Sequence, residues 1–328
     1  MKKVLFITDG IYHPSKDSAL KVLKENFPDR EIETIKIIDI LRKNYIIAAL
    51  NLLFMIKEYF FHYLYGEKKF MFYFMRTTYI FKKVKRIINR HVRMGNYEFT
   101  FQMMFMFDGS TPGIPHFVYT DIVHLYYFDL PVFNKWHQNT MKWIELERSI
   151  YDNALLNFTW SSNMARMMVE EYGITKEKVI CAFVGGNVNP LEEIKEDESK
   201  YRSKNILFVG RDWERKGGVQ LIEAFKKVLK VHPDAKLTIV GCSPDVNITN
   251  CRIIGKIDLK DVGTYYNNAA VFCLPTLIEP FGNVFVEALS HKLPIVSLNL
   301  GAVPDLVIDG YNGYKAEPFD IDKLAEFL

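Results

Sequence analysis

One stretch, VFCLPTLIEPFGNVFVEALSHKLPIVSL at residues 271–298, restricts the fold of this chain more than any other. Val271 to Leu274 is a short apolar run stopped by Pro275, the pattern of a parallel strand covered on both faces. Pro275 and Pro280 keep the following residues out of regular structure. Gly282 sets the start of a helix that Asn283 is placed to cap, and Val284, Val286, Ala288 and Leu289 give that helix a broad apolar face. A second buried strand follows. A helix N-terminus in this position gathers unpaired backbone N–H groups and a partial positive charge, so it can hold a phosphate.

Two carboxylates flank the helix start. Glu279 lies in the loop and Glu287 one turn inside the helix, so one can meet a ligand from the loop and the other from the helix face. A nucleotide-sugar asks for such a set: phosphate on N–H groups, ribose and sugar hydroxyls on carboxylates with two oxygens each. Taken alone, the same spacing describes a solvated loop residue and an exposed helix residue.

The spacing has company. EPFGNVFVEALSHKLPIV, followed by Gly301, Pro304 and IDGYNGY at 308–314, resembles the E-x7-E region of glycosyltransferase family 4, the group 1 retaining transferases. ILFVGRDWERKGG at 206–218 is similar to that family's phosphate-contacting strand and loop, and AKLTIVG at 235–241 to its next strand. The resemblance covers roughly 180–328 and thins before it. It implies an α/β GT-B fold, two Rossmann-like doubly wound domains facing across a cleft. It also implies a nucleoside-diphosphate sugar held by Arg211, Lys216, Glu279 and Glu287, by the backbone of Phe281, Gly282, Asn283 and Val284, and by the turn at Gly210, with Arg215 as a further cation. A cation pair there offsets charge on the leaving nucleotide as the glycosidic bond breaks. The GKI turn at 255–257 falls where related enzymes hold the base through backbone groups.

At 328 residues there is room for two domains, each with its own core. GGNVNP at 185–190 resembles the turn into the second domain, and the charged LEEIKEDESKYRSK at 191–204 suits an exposed linker. The expected domains are 1–186, on the acceptor side, and 187–328, binding the donor. A net charge of +3 is too small to argue for nucleic acid. Cys181, Cys242, Cys251 and Cys273 are scattered, without ligand spacing, which fits a reduced cytoplasmic compartment. MKKVLFITDG has too short an apolar run for a signal peptide and reads as a first strand. The DIDKLAEFL end is early for this fold, which usually continues into helices that cross back to the first domain.

Along the N-terminal domain, Val4–Ile7 reads as a strand, a helix opens at Asp17 or Ser18 and runs to Phe27, and residues 31–38 form a second strand. The family's first loop is often glycine-rich and lies near the donor phosphates and acceptor; Gly10 is its glycine here. FTFQMMFMF at 99–107 and His116–Thr120 are further strands. Asp121 and His124 sit just past the carboxyl end of the latter, where doubly wound folds present ligand-contacting groups. In related transferases a histidine near this point contacts the donor sugar or the reacting centre, which makes His124 the catalytic candidate and Asp121 its companion. A lone histidine after a strand is equally a structural residue. Trp136–Tyr151 reads as a helix, 154–159 as a strand, Ser162–Tyr172 as a helix capped by Ser161, and Lys178–Val184 as a strand.

Residues 42–95 are an insertion of unusual composition. NYIIAALNLLFMIKEYFFHYLYG at 44–66 is apolar and aromatic, but Lys57 and Glu58 leave a charge-free part shorter than a spanning helix requires. Residues 68–97 then hold nine Lys or Arg and no acid. On a helix, Lys82, Lys83, Lys85, Arg86, Arg90 and Arg93 lie mostly to one side of Phe81, Val84, Ile87, Ile88 and Val92. A helical pair packed on the sheet with a solvated basic face fits this pattern, and so does a helix pair on an anionic membrane surface. A nucleic-acid patch fits less well, because no nucleic-acid motif accompanies it.

The expected activity is retaining transfer of a sugar from a nucleoside-diphosphate sugar to an acceptor hydroxyl, in polysaccharide, lipopolysaccharide or glycolipid synthesis. The departing phosphate would assist on the front face, without cofactor or metal; the D-x-D at Asp320–Asp322 opens the last helix, where Asp320 is a cap. Two other readings stand beside it: a catalytically silent GT-B module that binds nucleotide-sugar or scaffolds at a membrane, and a hydrolase or epimerase on the same fold.

Overall fold

The computed structural model describes residues 2–66, 69–103, 106–130, 141–188 and 199–328. Among them the short apolar strands are separated by helices and loops, and strands so separated pair in parallel across crossovers. Among the described residues the pairings between named strands are all parallel, and the chain divides into two compact units, Met1–Phe183 and Val184–Leu328.

The first unit runs β1 (Lys3–Thr8), α1 (Pro14–Asn26), β2 (Glu31–Lys36), α2 (Ile37–Arg42), α3 (Tyr45–Tyr65), α4 (Phe70–Phe74), α5 (Thr78–Met94), β3 (Tyr97–Met103), β4 (His116–Thr120), α6 (Met141–Asn153), β5 (Leu156–Thr159), α7 (Ser162–Glu170) and β6 (Val179–Cys181). Its sheet order is β2-β1-β3-β4-β5-β6. The second unit runs α8 (Ser199–Arg202), β7 (Asn205–Val209), α9 (Gly218–Val231), β8 (Lys236–Val240), β9 (Cys251–Gly255), α10 (Val262–Asn267), β10 (Val271–Leu274), α11 (Asn283–Ser290), β11 (Ile295–Leu298), α12 (Val303–Leu306), β12 (Gly313–Ala316) and α13 (Ile321–Glu326), with sheet order β12-β11-β10-β7-β8-β9. In both sheets the order reverses direction once, between β1 and β3 and between β7 and β10. Such a switch point opens a crevice at the carboxyl ends of the strands.

Several element boundaries differ from the sequence reading. α1 begins at Pro14, not at Asp17 or Ser18: Pro14 sits in the first turn, and the His13 ring accepts from the Ser15 N–H at 3.3 Å. β2 ends at Lys36 because Ile37 already opens α2. Gly282, at φ +83°, is the residue before α11, and Asn283 turns its carboxamide to the Gly185 carbonyl at 3.0 Å, so Asn283 is not the cap. The strand expected at 178–184 shortens to Val179–Cys181, and Phe183 has a left-handed φ of +56°. Ser161 and Asp320 do cap their helices, accepting from Met164 and Lys323. Residues 136–140 of the expected sixth helix, 104–105 of the expected third strand, 189–190 of the turn and 191–198 of the expected linker lie outside the described residues.

The insertion is helical, and its two long helices solve burial differently. α5 buries Ile80, Phe81, Val84, Ile88 and Val92, while Lys82, Arg86, Arg90 and Arg93 form an exposed basic stripe. α3 buries only Ile47, Asn51, Met55 and Tyr59, a seam one residue wide at i, i+4 spacing. The Asn51 carboxamide in that seam donates to the Phe74 carbonyl at 2.7 Å and accepts from the Thr77 hydroxyl. Tyr45, Leu53, Phe60, Phe61, Leu64 and Tyr65 face outward. By length and composition α3 is the one helix among the described residues that is long and apolar enough to cross a membrane.

Candidate active site

The loops after β7 and β10 leave the second sheet side by side at its switch point. β7 and β10 pair through Ile206 with Val271 and Leu207 with Phe272. The loops lock together through backbone: the Leu277 N–H donates to the Arg215 carbonyl at 3.0 Å. Arg215 Nη1 returns a bond to the Ile278 carbonyl at 2.8 Å, and its Nε donates to Asp212 at 3.1 Å. Gly217 allows this approach. At φ +75°, a Cβ on it would fall 1.8 Å from the Pro275 carbonyl oxygen.

This contact brings Lys216 of one loop onto Glu279 of the other as an ion pair, with 12% and 8% of their side chains exposed. Glu279 in turn lies against the start of α11, since a Cβ on Gly282 would come 2.9 Å from its Cγ. Cation, carboxylate and helix N-terminus thus converge at one point, the set of groups that charged and hydroxylated ligands require. Gly210 follows β7 directly, and its N–H donates to the Val240 carbonyl at 2.9 Å. Arg211 stands exposed beside it, with no ion pair among the described residues. Phe281 is buried, and Val284 is half-buried.

Glu287 sits deeper than an exposed helix residue, at 2% exposure. One oxygen accepts from the Asn187 N–H at 3.0 Å and the other from the Tyr266 hydroxyl at 3.0 Å. Burial raises its pKa, and these bonds pull the other way. Glu287 therefore fixes the turn at Asn187 to α11.

In the first unit His124 opens a two-turn 3-10 helix after β4 and is buried, its ring packed among Trp143, Tyr127 and Phe128. Its N–H donates to Glu147 at 2.9 Å. Burial, helped by the nearby Arg76 charge, pushes its pKa down to about 3, so the ring is neutral at ordinary pH. Glu147 also accepts from the Tyr151 hydroxyl at 2.8 Å and from the Tyr172 hydroxyl; burial raises its pKa to about 7 against these bonds and Arg76. Asp121 lines a pocket of about 440 Å³ at the β1/β3 switch point, together with Asp9, Lys16, Arg76 and Trp160, whereas His124 is not in its lining. Gly10, at φ +91°, packs with its α-carbon against Ile38. Sequence reasoning missed Glu147, Arg76 and Tyr266. Arg76 alone had a signal, its place in the acid-free basic run.

The comparisons with known proteins agree with this geometry. The family model described as glycosyl transferases group 1 matches residues 203–328. A capsular polysaccharide biosynthesis glycosyltransferase, CapM of Staphylococcus aureus, is 28% identical over 174 residues, covering 47% of this chain and 46% of its own. The chain spans about half the length of the curated relatives it matches. Among solved structures, HepE of Anabaena in complex with UDP aligns over 99% of this chain and 88% of its own, at 14% identity and a TM-score of 0.60. A glycosyltransferase of Rickettsia africae covers 99% and 86%, at 14% identity and a TM-score of 0.61. At such identity the likeness speaks to the fold, the two-sheet α/β fold of GT-B glycosyltransferases. Residues 203–328, with Lys216, Glu279 and Glu287 among them, are therefore the part of the chain that matches the group 1 glycosyl transferases.

Proposed function

We propose that the chain transfers a sugar, with retention, from a nucleoside-diphosphate sugar to an acceptor hydroxyl in the synthesis of a cell-envelope polysaccharide or glycolipid. The observation that carries this reading is the Lys216–Glu279 pair seated beside the α11 N-terminus at the β7/β10 switch point. Lys216 and the exposed Arg211 meet the diphosphate, Glu279 accepts from a sugar hydroxyl, and α11 presents its first N–H groups. The fixed cations take up charge on the leaving nucleotide, so transfer proceeds without a metal. Enzyme turnover should accordingly be insensitive to EDTA, and chelator-dependent loss would overturn that part.

The titrations that decide it use UDP, GDP, ADP and their sugars on the wild-type chain and on Lys216→Ala and Arg211→Ala. One nucleotide should bind, and each substitution should weaken it by about tenfold to a hundredfold. Arg211 carries the sharper test, because its exposed side chain supports no structure. A folded wild-type chain that binds none of these ligands would sink the proposal.

A second reading is favoured by α3. Its outward face of Tyr45, Leu53, Phe60, Phe61, Leu64 and Tyr65 is larger than a solvated surface helix needs, and the neighbouring α5 carries the Lys82, Arg86, Arg90 and Arg93 stripe. Apolar and basic surface on adjoining helices suits attachment to an anionic lipid surface at the inner face of a membrane.

A further inference from the structure

We propose that the pocket at the β1/β3 switch point binds the acceptor and that this acceptor is a phosphate-bearing amphiphile, its anion on Arg76 and its hydrocarbon on the methionine-rich wall. Arg76 is held rather than free to swing. Its guanidinium lies 3.9 Å over the Phe72 ring, Nη1 donates to the Phe72 carbonyl at 3.1 Å, and its own carbonyl accepts from the Tyr59 hydroxyl at 2.8 Å. Nε is buried without an acceptor, and Arg76 makes no ion pair among the described residues. A desolvated guanidinium with spare donors is an unusual feature in a folded interior; it marks a place where an anion completes the set.

The other charges of the lining are accounted for. Asp9 pairs with Lys16, which also donates to the Ile11 carbonyl at 3.0 Å. The His13 ring is turned to the Ser15 N–H. Asp121 is the second acid of the lining, and its carboxylate has the chemistry to accept from hydroxyls of the same ligand. Most of the wall is apolar, with Met71, Phe72, Met75, Met103 and Met106, and at about 440 Å³ the space is that of an organic ligand, far beyond a bare phosphate. Met71 and Phe72 belong to α4, which packs on α3, so the apolar wall is continuous with the helix whose outer face is exposed. Flexible methionine side chains suit a hydrocarbon of variable shape.

The proposal rests on the transferase reading only for the word acceptor; the binding itself does not. Calorimetric titration of the full chain with geranyl monophosphate, geraniol and inorganic phosphate tests it, with Arg76→Met and Arg76→Lys alongside and circular dichroism to report folding. Geranyl monophosphate should bind at least about tenfold more tightly than geraniol or phosphate alone. Arg76→Met should lower that affinity by about tenfold or more, and Arg76→Lys should restore part of it. Geraniol binding equal to geranyl monophosphate would remove the anion, phosphate competing as well as the amphiphile would remove the hydrocarbon, and undiminished binding by a folded Arg76→Met would remove the assignment of the residue. Should Arg76→Met not fold, the three wild-type affinities and the lysine variant still decide. UDP, GDP and ADP are titrated in parallel: failure of all three to bind counts against the transferase reading, whereas failure of geranyl monophosphate counts against this pocket.

Discussion

At the scale of single residues, burial in the first unit converts ionisable groups into pH sensors of opposite sign. His116 is almost wholly buried, shares a hydrogen bond of 2.6 Å with the Thr100 hydroxyl, and leaves Nε2 without a partner. Burial first, with the Lys85 charge adding and Asp108 opposing, lowers its pKa from 6.5 to about 4. The folded state thus binds fewer protons than the unfolded chain between those values. Stability from this group is complete above about pH 6.5 and drains away as pH falls toward about 4, on the order of 3 kcal/mol in all. Glu147, raised to about 7, acts in reverse: its contribution is complete below its ordinary value and declines as pH rises to about 7. Urea unfolding between pH 4.5 and pH 7 should show a shallower acid limb in His116→Asn, and a steeper one in Glu147→Gln; unchanged profiles would contradict the burial argument.

At the scale of elements, the loop after β7 depends on one backbone geometry. Gly217→Ala forces a side chain into a left-handed φ and into the Pro275 carbonyl, and should cost roughly 2–4 kcal/mol while separating Lys216 from Glu279. A thermal melt within about a degree of wild type would refute it. This element scale also shows what a sequence reveals. β7, β8 and β10 could be placed within a residue or so because apolar runs ended by Gly or Pro are local signals. The Lys216–Glu279 pair was only half legible: the motif named both residues, but their union depends on two loops 63 residues apart. The cap of α11 went wrong because Asn283 is a good cap by type, and only the φ of Gly282 moves the boundary. Glu147 had no signal at all. A glutamate inside an amphipathic helix looks like a solvated one until the tyrosines around it are in place.

At the scale of the whole molecule, charge and apolar surface are unevenly placed. The net charge is only +3, yet α5 presents four exposed cations in one stripe next to a helix whose apolar residues are left largely uncovered. Sedimentation with vesicles containing phosphatidylglycerol should recover the protein at low salt. Reversal of Lys82, Arg86, Arg90 and Arg93 to Glu should lower that affinity at least about tenfold, with neutral phosphatidylcholine vesicles binding weakly in both cases. Equal recovery of both proteins would discard the charge contribution and leave α3 alone.

The order β12-β11-β10-β7-β8-β9 has one more consequence, in the time the chain takes to fold. β7 can pair with β8 early, but its other edge waits for β10, more than sixty residues downstream. Loop closure over that span is slow compared with forming a helix. Lys216 and Glu279 therefore meet only when the central strand pair closes, and a nucleotide that needs both will bind late, after most secondary structure is complete. The site proposed for the donor would thus double as a clock for a late step in the assembly of its own domain.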